Sequence, residues 1–217
     1  MKEQAVVLLS AGLDSTTNFF AAVEKFDVVL ALTFDYGQRA AKKEMEKARQ
    51  QAHFLKVPHQ VIHLDWLKDG NPSSLVDRDQ QVPVGKQVDI DDFETSLETK
   101  KSVWVPNRNG VLLSVAASVA EMRGAKYIIP GFNKEEASTF PDNSQDYLNV
   151  LNHSLTFSTA NHVEAFCFTI HMDKIEIVKL ARSMNVPFDL IWPCYFDGEA
   201  LCGECESCQR YQRAVRA

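Results

Sequence analysis

The chain has no run approaching the about 18 consecutive apolar residues that a membrane-crossing helix needs, so no membrane span is expected. Its first residues are also poor signal-peptide material. Lys2 and Glu3 precede only the short apolar stretch Ala5-Val6-Val7-Leu8-Leu9, without the expected core or flanks, and a cytoplasmic location follows as the expectation. Basic charge is not in excess: 23 Lys+Arg stand against 29 Asp+Glu, a net of -6. That balance lacks the basic stripe of a duplex-DNA binder, so no nucleic-acid partner is expected. Neither G-x-x-x-x-G-K-[ST] nor G-x-G-x-x-G occurs, which excludes the two commonest glycine-rich phosphate loops. Internal repeats and low-complexity tracts are absent as well. Cysteine is sparse, at 5 of 217 residues, and four of the five crowd between 194 and 208. A secreted disulfide framework would spread them out, so a reducing compartment and a metal are the better expectation.

The remaining composition is that of a globular chain, with 45% hydrophobic and 24% charged residues. Val6–Ser10 reads as a buried strand, and Phe19, Phe20, Ala22 and Val23 then recur at helical spacing, with Asp14 or Ser15 placed to cap the first turn. Val28–Phe34 is a second strand. Gln38–Leu55 is a helix lined by Ala41, Met45, Ala48, Ala52 and Leu55. Gln60–Leu64 follows as a strand, Val111–Arg123 as an Ala-rich helix, Tyr127–Ile129 as a strand and Asp173–Met184 as an amphipathic helix. Strand and helix in alternation predict an α/β fold, with a parallel sheet covered by helices on both faces. Two stretches break the rhythm. Residues 66–103 carry eight acids, five bases and little periodicity, which fits a solvated surface insertion or a mobile lid. Beyond Pro187 the chain turns rich in Cys, Gly and acids, as a small metal-held appendage would be. The expected organisation is a nucleotide domain over 1–185 and a zinc-binding segment over 186–217.

Two motifs carry chemistry. Ser10-Ala11-Gly12-Leu13-Asp14-Ser15-Thr16-Thr17 lies between the first strand and the first helix. Small residues there let the backbone turn and aim its N–H groups at an anion, the helix adds its positive end, and Ser15, Thr16 and Thr17 add hydroxyls. The bland alternative is an N-cap turn. The second motif is Cys194-x7-Cys202-x2-Cys205-x2-Cys208, whose four thiolates can close a tetrahedral shell around a structural zinc. An iron–sulfur cluster is the competing occupant. Cys167 stands alone and reads as a core residue.

The first motif resembles the S-G-G-x-D-S pyrophosphate loop of the N-type ATP pyrophosphatases, with Ala11 in the place of the first glycine. Together with the cysteine tail it resembles one branch of that superfamily, the QueC/ExsB family of queuosine precursor biosynthesis. Thr33-Phe34-Asp35-Tyr36-Gly37-Gln38-Arg39 matches the family's T-F-D-Y-G-Q-R, and Val105-Pro106-Asn107-Arg108-Asn109 its V-P-G-R-N. Pro193-Cys194-Tyr195 and Gly203-Glu204-Cys205 match its tail, so the likeness spans nearly the whole chain. Departures gather in Glu135–Ser144, where the family reads E-T-D-F-S-G-Y-P-D-C-R, and in Cys167-Phe168-Thr169, where it reads T-P-L.

The resemblance implies a Rossmann-like fold of the adenine nucleotide alpha hydrolase type. It also implies a ligase that adenylates 7-carboxy-7-deazaguanine with ATP and Mg²⁺ and then takes ammonia to form the nitrile. It assigns ATP to Leu8, Leu9, Ser10, Ala11, Gly12, Leu13, Asp14, Ser15, Thr16, Thr17 and Asn18, with Arg39 as a further phosphate partner. Asp14, Ser15 and Lys174 are the expected catalytic residues. Arg108, Asn109, Phe140 and Asp142 would meet the base-like acceptor, and Cys194, Cys202, Cys205 and Cys208 would hold one structural zinc. A homodimer using external ammonia is implied too, since 217 residues leave no space for an appended glutaminase domain. Two rival readings stay open. One keeps adenylation and changes the acceptor, and the other is a non-catalytic zinc protein. His59 and His63 lack a third ligand, and His153, His162 and His171 recur at a nine-residue spacing that fits no metal geometry.

Overall fold

A computed structural model describes residues 2–217. Five parallel strands, β1 (Gln4–Leu8), β2 (Asp27–Asp35), β3 (His59–His63), β4 (Tyr127–Ile129) and β5 (Glu164–Ala165), form a sheet of order β3-β2-β1-β4-β5. The helices are α1 (Leu13–Lys25), α2 (Ala41–Phe54), α3 (Phe93–Val103), α4 (Arg108–Met122), α5 (Lys134–Ala137), α6 (Gln145–Ser158), α7 (Lys174–Ser183) and α8 (Glu206–Arg216). None among the described residues is long and apolar enough to cross a membrane.

Because successive strand residues point to opposite faces, Val6 and Val7 enter different cores. Val7, Ala31 and Ile129 pack under Phe19 and Ala22 of α1 and Ala48 and Ala52 of α2. Val6, Leu32 and Ile128 pack under Leu113 and Ala116 of α4 and Leu148 and Leu155 of α6. Small residues on α4 let that helix lie close to the sheet. The chain leaves β1 for α1 on one face and enters β4 from α4 on the other. The carboxyl ends of β1 and β4 therefore flank a topological switch point, where open α/β sheets bind ligands.

Several boundaries differ from the sequence expectation. Helix α1 begins at Leu13 with Gly12 as its N-cap, so neither Asp14 nor Ser15 caps it. Helix α2 begins at Ala41 and not Gln38, because the Gln38 side chain closes a turn by donating to the Phe34 carbonyl and accepting from Tyr36 N. Helices α3, α5, α6 and α8 lie where no element was expected. In α6 only Leu148 and Leu155 are buried while Val150 and Phe157 are exposed, so its helical period is faint. Residues 66–103 send Leu75, Val76, Val82 and Val103 into the core, and Val84 pairs with Cys205. The C-terminal segment packs Ala214 of α8 into a cluster with Leu13 of α1 and Ile177, Val178 and Ala181 of α7.

Candidate active site and four-cysteine cluster

The loop after β1 turns sharply at Ala11, whose φ of 62 lies in the left-handed region. L-residues other than glycine pay for that conformation, so alanine in the family's glycine position is strained here. The turn delivers Gly12 to the start of α1, where the first intrahelical bond runs from Thr16 N to the Gly12 carbonyl. The N–H groups of Leu13, Asp14 and Ser15 precede that bond and have no partner within the helix. At the end of β4, Gly131 comes so close that a Cβ on it would lie 2.4 Å from Ser15 N. Only glycine allows β4 to pass the first turn of α1 at this range.

A cavity of about 270 Å³ opens over these strand ends. Its lining includes Ser10, Gly12, Asp14 and Ser15 from the loop, Lys174 from α7, and the apolar side chains of Leu8, Leu32, Phe34 and Leu113. On its floor Lys174 Nζ meets Asp14 Oδ2 at 2.5 Å and Glu136 Oε1 at 2.8 Å. Asn133 Nδ2 also donates to Asp14 Oδ2, at 3.1 Å. Burial pushes the Asp14 carboxyl up to about 6 against the opposing pull of Lys174. Burial by itself would lower Lys174, but Asp14 and Glu136 outweigh it and hold the ammonium above its ordinary range. In Glu136 burial is likewise outweighed, there by Lys174, and the carboxyl is held low. Among the described residues Asp14 Oδ1 is buried without a hydrogen-bond partner. An unpaired carboxylate oxygen at such a site fits a hard cation such as Mg²⁺.

The expected ATP residues divide into two sets. Leu8, Leu9, Ser10, Gly12, Leu13, Asp14 and Ser15 line the cavity. Ser15 Oγ donates to the Gly12 carbonyl at 3.2 Å and lies 3.1 Å from Ser10 Oγ, so both hydroxyls are at the loop. Ala11, Thr16, Thr17 and Asn18 are fully buried and outside the lining. Thr16 Oγ1 accepts from Gln51, Thr17 Oγ1 donates to the Leu13 carbonyl, and Asn18 Nδ2 donates to the Asp14 carbonyl and to Thr169 Oγ1. These side chains brace the back of α1 instead of reaching a phosphate. Cys167, Phe168 and Thr169 belong to that brace and do not line the cavity, so the altered T-P-L segment sits behind the loop. Arg39 is also placed elsewhere. Its guanidinium donates to the carbonyls of Ser74, Asp77 and Gln80, which ties down residues 74–80.

Arg108, Asn109, Phe140 and Asp142 do come together on the cavity wall. The Arg108 guanidinium donates to Tyr36 Oη at 3.3 Å. Phe140 stacks on Trp104 with ring centroids 6.0 Å apart and planes 11° from parallel. Burial pushes the Asp142 carboxyl up, while the neighbouring Arg108 and Asn109 pull it back. Trp104, Gly131, Glu136, Glu206 and Arg210 line the same cavity without a site role assigned from the sequence, and Tyr36 and Tyr195 line it from within the matched motifs.

The ligand sulfurs of Cys194, Cys202, Cys205 and Cys208 lie within 4.8 Å of one another, and the Cys202 and Cys208 sulfurs are 3.8 Å apart. A tetrahedral ion with bonds of about 2.3 Å to sulfur has edges of about 3.8 Å, so the donor set fits a four-thiolate metal site. Cys202 N and Phe196 N donate to Cys194 Sγ at 3.5 Å, and Cys205 N donates to Cys202 Sγ at 3.3 Å. Such N–H contacts favour the thiolate form that a metal requires. The cluster is also joined to the loop after β1, because Trp192 N donates to the Ala11 carbonyl at 2.8 Å. From α8, Arg210 and Arg213 reach Glu135 Oε2 at 3.2 and 2.6 Å, while Glu135 Oε1 accepts from Lys174 N at 2.8 Å.

Comparison with known proteins agrees with this geometry. The family model described as "Queuosine biosynthesis protein QueC" matches residues 4–217. A 7-cyano-7-deazaguanine synthase of Bdellovibrio bacteriovorus is 55% identical over 213 residues, covering 98% of this chain and 92% of the relative. The synthase of that name from Carboxydothermus hydrogenoformans is 48% identical, covering 98% of each chain. One from Methanosarcina mazei is 45% identical, covering 98% of this chain and 94% of the relative. Among solved structures, the NMN synthetase of Francisella tularensis superposes with a TM-score of 0.50 at 12% identity, over 93% of this chain and 71% of that one. At such identity the likeness concerns the fold alone. The loop at the start of α1, the lysine of α7 and the four-cysteine cluster, with a family match running from residue 4 to residue 217, place the chain in the QueC family of the PP-loop superfamily.

Proposed function

We propose that the protein is the ATP-dependent ligase that converts 7-carboxy-7-deazaguanine and ammonia into 7-cyano-7-deazaguanine. The observation that carries the reading is the conjunction of the α1 N-terminal loop with Lys174, held between Asp14 and Glu136 on the floor of one cavity. A carboxylate has no good leaving group at neutral pH. Attack of its oxygen on the α-phosphorus of ATP expels pyrophosphate and leaves a mixed anhydride. Ammonia then adds at the carbonyl carbon and AMP departs, giving the amide. A second ATP is attacked by the amide oxygen, again expelling pyrophosphate. Loss of both N–H protons and then of AMP from that adduct leaves the nitrile.

The chain supplies no covalent nucleophile for these steps. The N–H groups of Leu13, Asp14 and Ser15 and the Lys174 ammonium would neutralise the departing pyrophosphate. Asp14 Oδ1 and Glu136 would hold Mg²⁺, which would screen the phosphate charge when bound. Apolar walls at Leu8, Leu32 and Phe34 suit an adenine ring, and the wall at Arg108, Asn109, Phe140 and Asp142 faces the acceptor. Zinc is the expected ion of the four-cysteine cluster, where four protein ligands leave no open position for chemistry. Reduced thiols in that cluster suit the cytoplasm. A homodimer is part of the proposal, and Met122 of α4 and Val150 and Phe157 of α6 are exposed apolar side chains that an interface would cover.

The test is direct. Protein incubated with Mg²⁺, ATP, 7-carboxy-7-deazaguanine and ammonium should yield AMP and the nitrile by mass spectrometry. Absence of acceptor-dependent AMP would sink the reading.

A further inference from the structure

The acceptor wall contains an amide donor without a full hydrogen bond of its own, next to a carboxylate with spare acceptor capacity. Asn109 is 6% exposed, lines the cavity, and its Nδ2 has no hydrogen-bond partner among the described residues. A buried amide donor without a partner is costly unless a ligand completes it. Asp142 lies beside it on the 3₁₀ turn Pro141–Asn143, with one carboxylate oxygen accepting from Asn143 Nδ2 at 3.3 Å and the carboxylate near enough to Asn109 for that amide to pull its pKa down. The paired rings of Trp104 and Phe140 complete the wall, and Lys100 Nζ lies 5.5 Å from each ring centroid. A flat aromatic surface beside a carboxylate and an amide donor is complementary to a heterocycle whose edge offers two donors and one acceptor.

We propose that Asp142 and Asn109 read the 2-amino-pyrimidinone edge of the acceptor. In this arrangement the Asp142 carboxylate accepts from N1–H and the 2-amino group, and Asn109 Nδ2 donates to the ring carbonyl. One outer face of the Trp104–Phe140 stack takes the base face, as aromatic side chains do with any nucleobase. Asp142 is then a specificity-determining residue. Arg108, pinned to Tyr36, keeps a cation next to the carboxylate and stabilises its charged, double-acceptor form. This assignment rests on the proposed acceptor being a deazaguanine acid, and it adds which edge of that acid is recognised and by which atoms.

The chemistry can be inverted. An Asp142→Asn side chain presents one acceptor and one donor, which matches a 2-oxo edge and clashes with a 2-amino edge. Acceptor-dependent ATP–pyrophosphate exchange should be measured without ammonium for 7-carboxy-7-deazaguanine, its 2-oxo counterpart and its analogue lacking the 2-amino group. Wild type should favour the 2-amino acid over the 2-oxo acid by about 100-fold in kcat/KM, as expected when buried polar groups are mispaired. D142N should reverse that preference with its KM for ATP unchanged, a switch that a merely structural role would not produce. Wild type alone should lose about 10-fold or more on the analogue without the 2-amino group. That arm needs no variant to fold. Exchange with none of the acids in wild type would refute the adenylation reading itself. Normal wild-type exchange with an unchanged preference in D142N, or wild-type indifference to the 2-amino group, would overturn the edge assignment.

Discussion

Replacing Lys174 with Met removes the cation between two carboxylates, and the structure sets the consequence. The lysine side chain is 8% exposed and Asp14 12%, so solvent screens their contact little. Breaking a buried pair by removing one partner costs about 3–5 kcal/mol, because the remaining charge is left uncompensated. Here two carboxylates remain, and Asp14, already raised to about 6 with Lys174 present, rises further without it. The unfolded chain keeps the ordinary aspartate value of 3.8. A group whose folded pKa exceeds its unfolded pKa stabilises the fold at low pH and loses that contribution as pH rises through the folded value. Wild type therefore gains some stability between pH 7.5 and pH 5. Lys174→Met gains more, because its Asp14 titrates from a higher value, and the gap narrows by about 1–2 kcal/mol. Asp14→Asn is the contrasting variant. Lys174 keeps Glu136, and a buried carboxylate whose Oδ1 has no partner is replaced by a neutral amide, so stability should stay within about 1 kcal/mol of wild type. Urea unfolding at both pH values reads these differences, and AMP formation should be lost in both variants. A Lys174→Met deficit equal at pH 7.5 and pH 5, or an Asp14→Asn deficit as large as that of Lys174→Met, would refute the reasoning.

Gly131→Ala should abolish AMP formation and cost about 2 kcal/mol or more in denaturant unfolding, since its Cβ would lie 2.4 Å from Ser15 N. Full activity in that variant would mean that the loop can shift freely. Ala11→Gly should leave stability within about 0.5 kcal/mol of wild type, because relief of a left-handed alanine is offset by glycine's chain entropy and by a lost buried methyl. Ala11→Val should be clearly destabilised in the same unfolding assay, and tolerance of valine would contradict the loop geometry. Purified protein should hold about one zinc per chain by elemental analysis and be colourless, and brown protein with stoichiometric iron would contradict the assignment. Cys205→Ser should lose the metal and melt earlier, yet form AMP with a raised KM for ATP, since Trp192 N bonds the Ala11 carbonyl. A metal-loaded, equally stable but dead variant would give the cluster a chemical role.

Periodic burial and short-range motifs were legible in the sequence because their causes are local. Val6–Val7 in a buried strand, Ala48 and Ala52 at helical spacing on α2, and Cys194, Cys202, Cys205 and Cys208 at ligand spacing needed no knowledge of distant contacts. The same locality placed Ser10–Ser15 at a strand-to-helix turn, but it could not say which hydroxyls face the cavity. Helix rotation decides that, turning Thr16, Thr17 and Asn18 into the protein while Asp14 and Ser15 line the site. Helices α6 and α8 escaped notice because each buries few apolar residues of its own and is held by partners far along the chain. Lys174 could be singled out in the sequence, whereas its pairing with Asp14, 160 residues away, exists only once α7 docks beside α1. Arg39 shows the converse: its motif pointed to phosphate, but residues 74–80 fold back to present carbonyls to its guanidinium. A charged side chain carries its chemistry in the sequence, but the groups that satisfy its charge are chosen by the tertiary fold, because burial leaves only those within a few ångströms to do so.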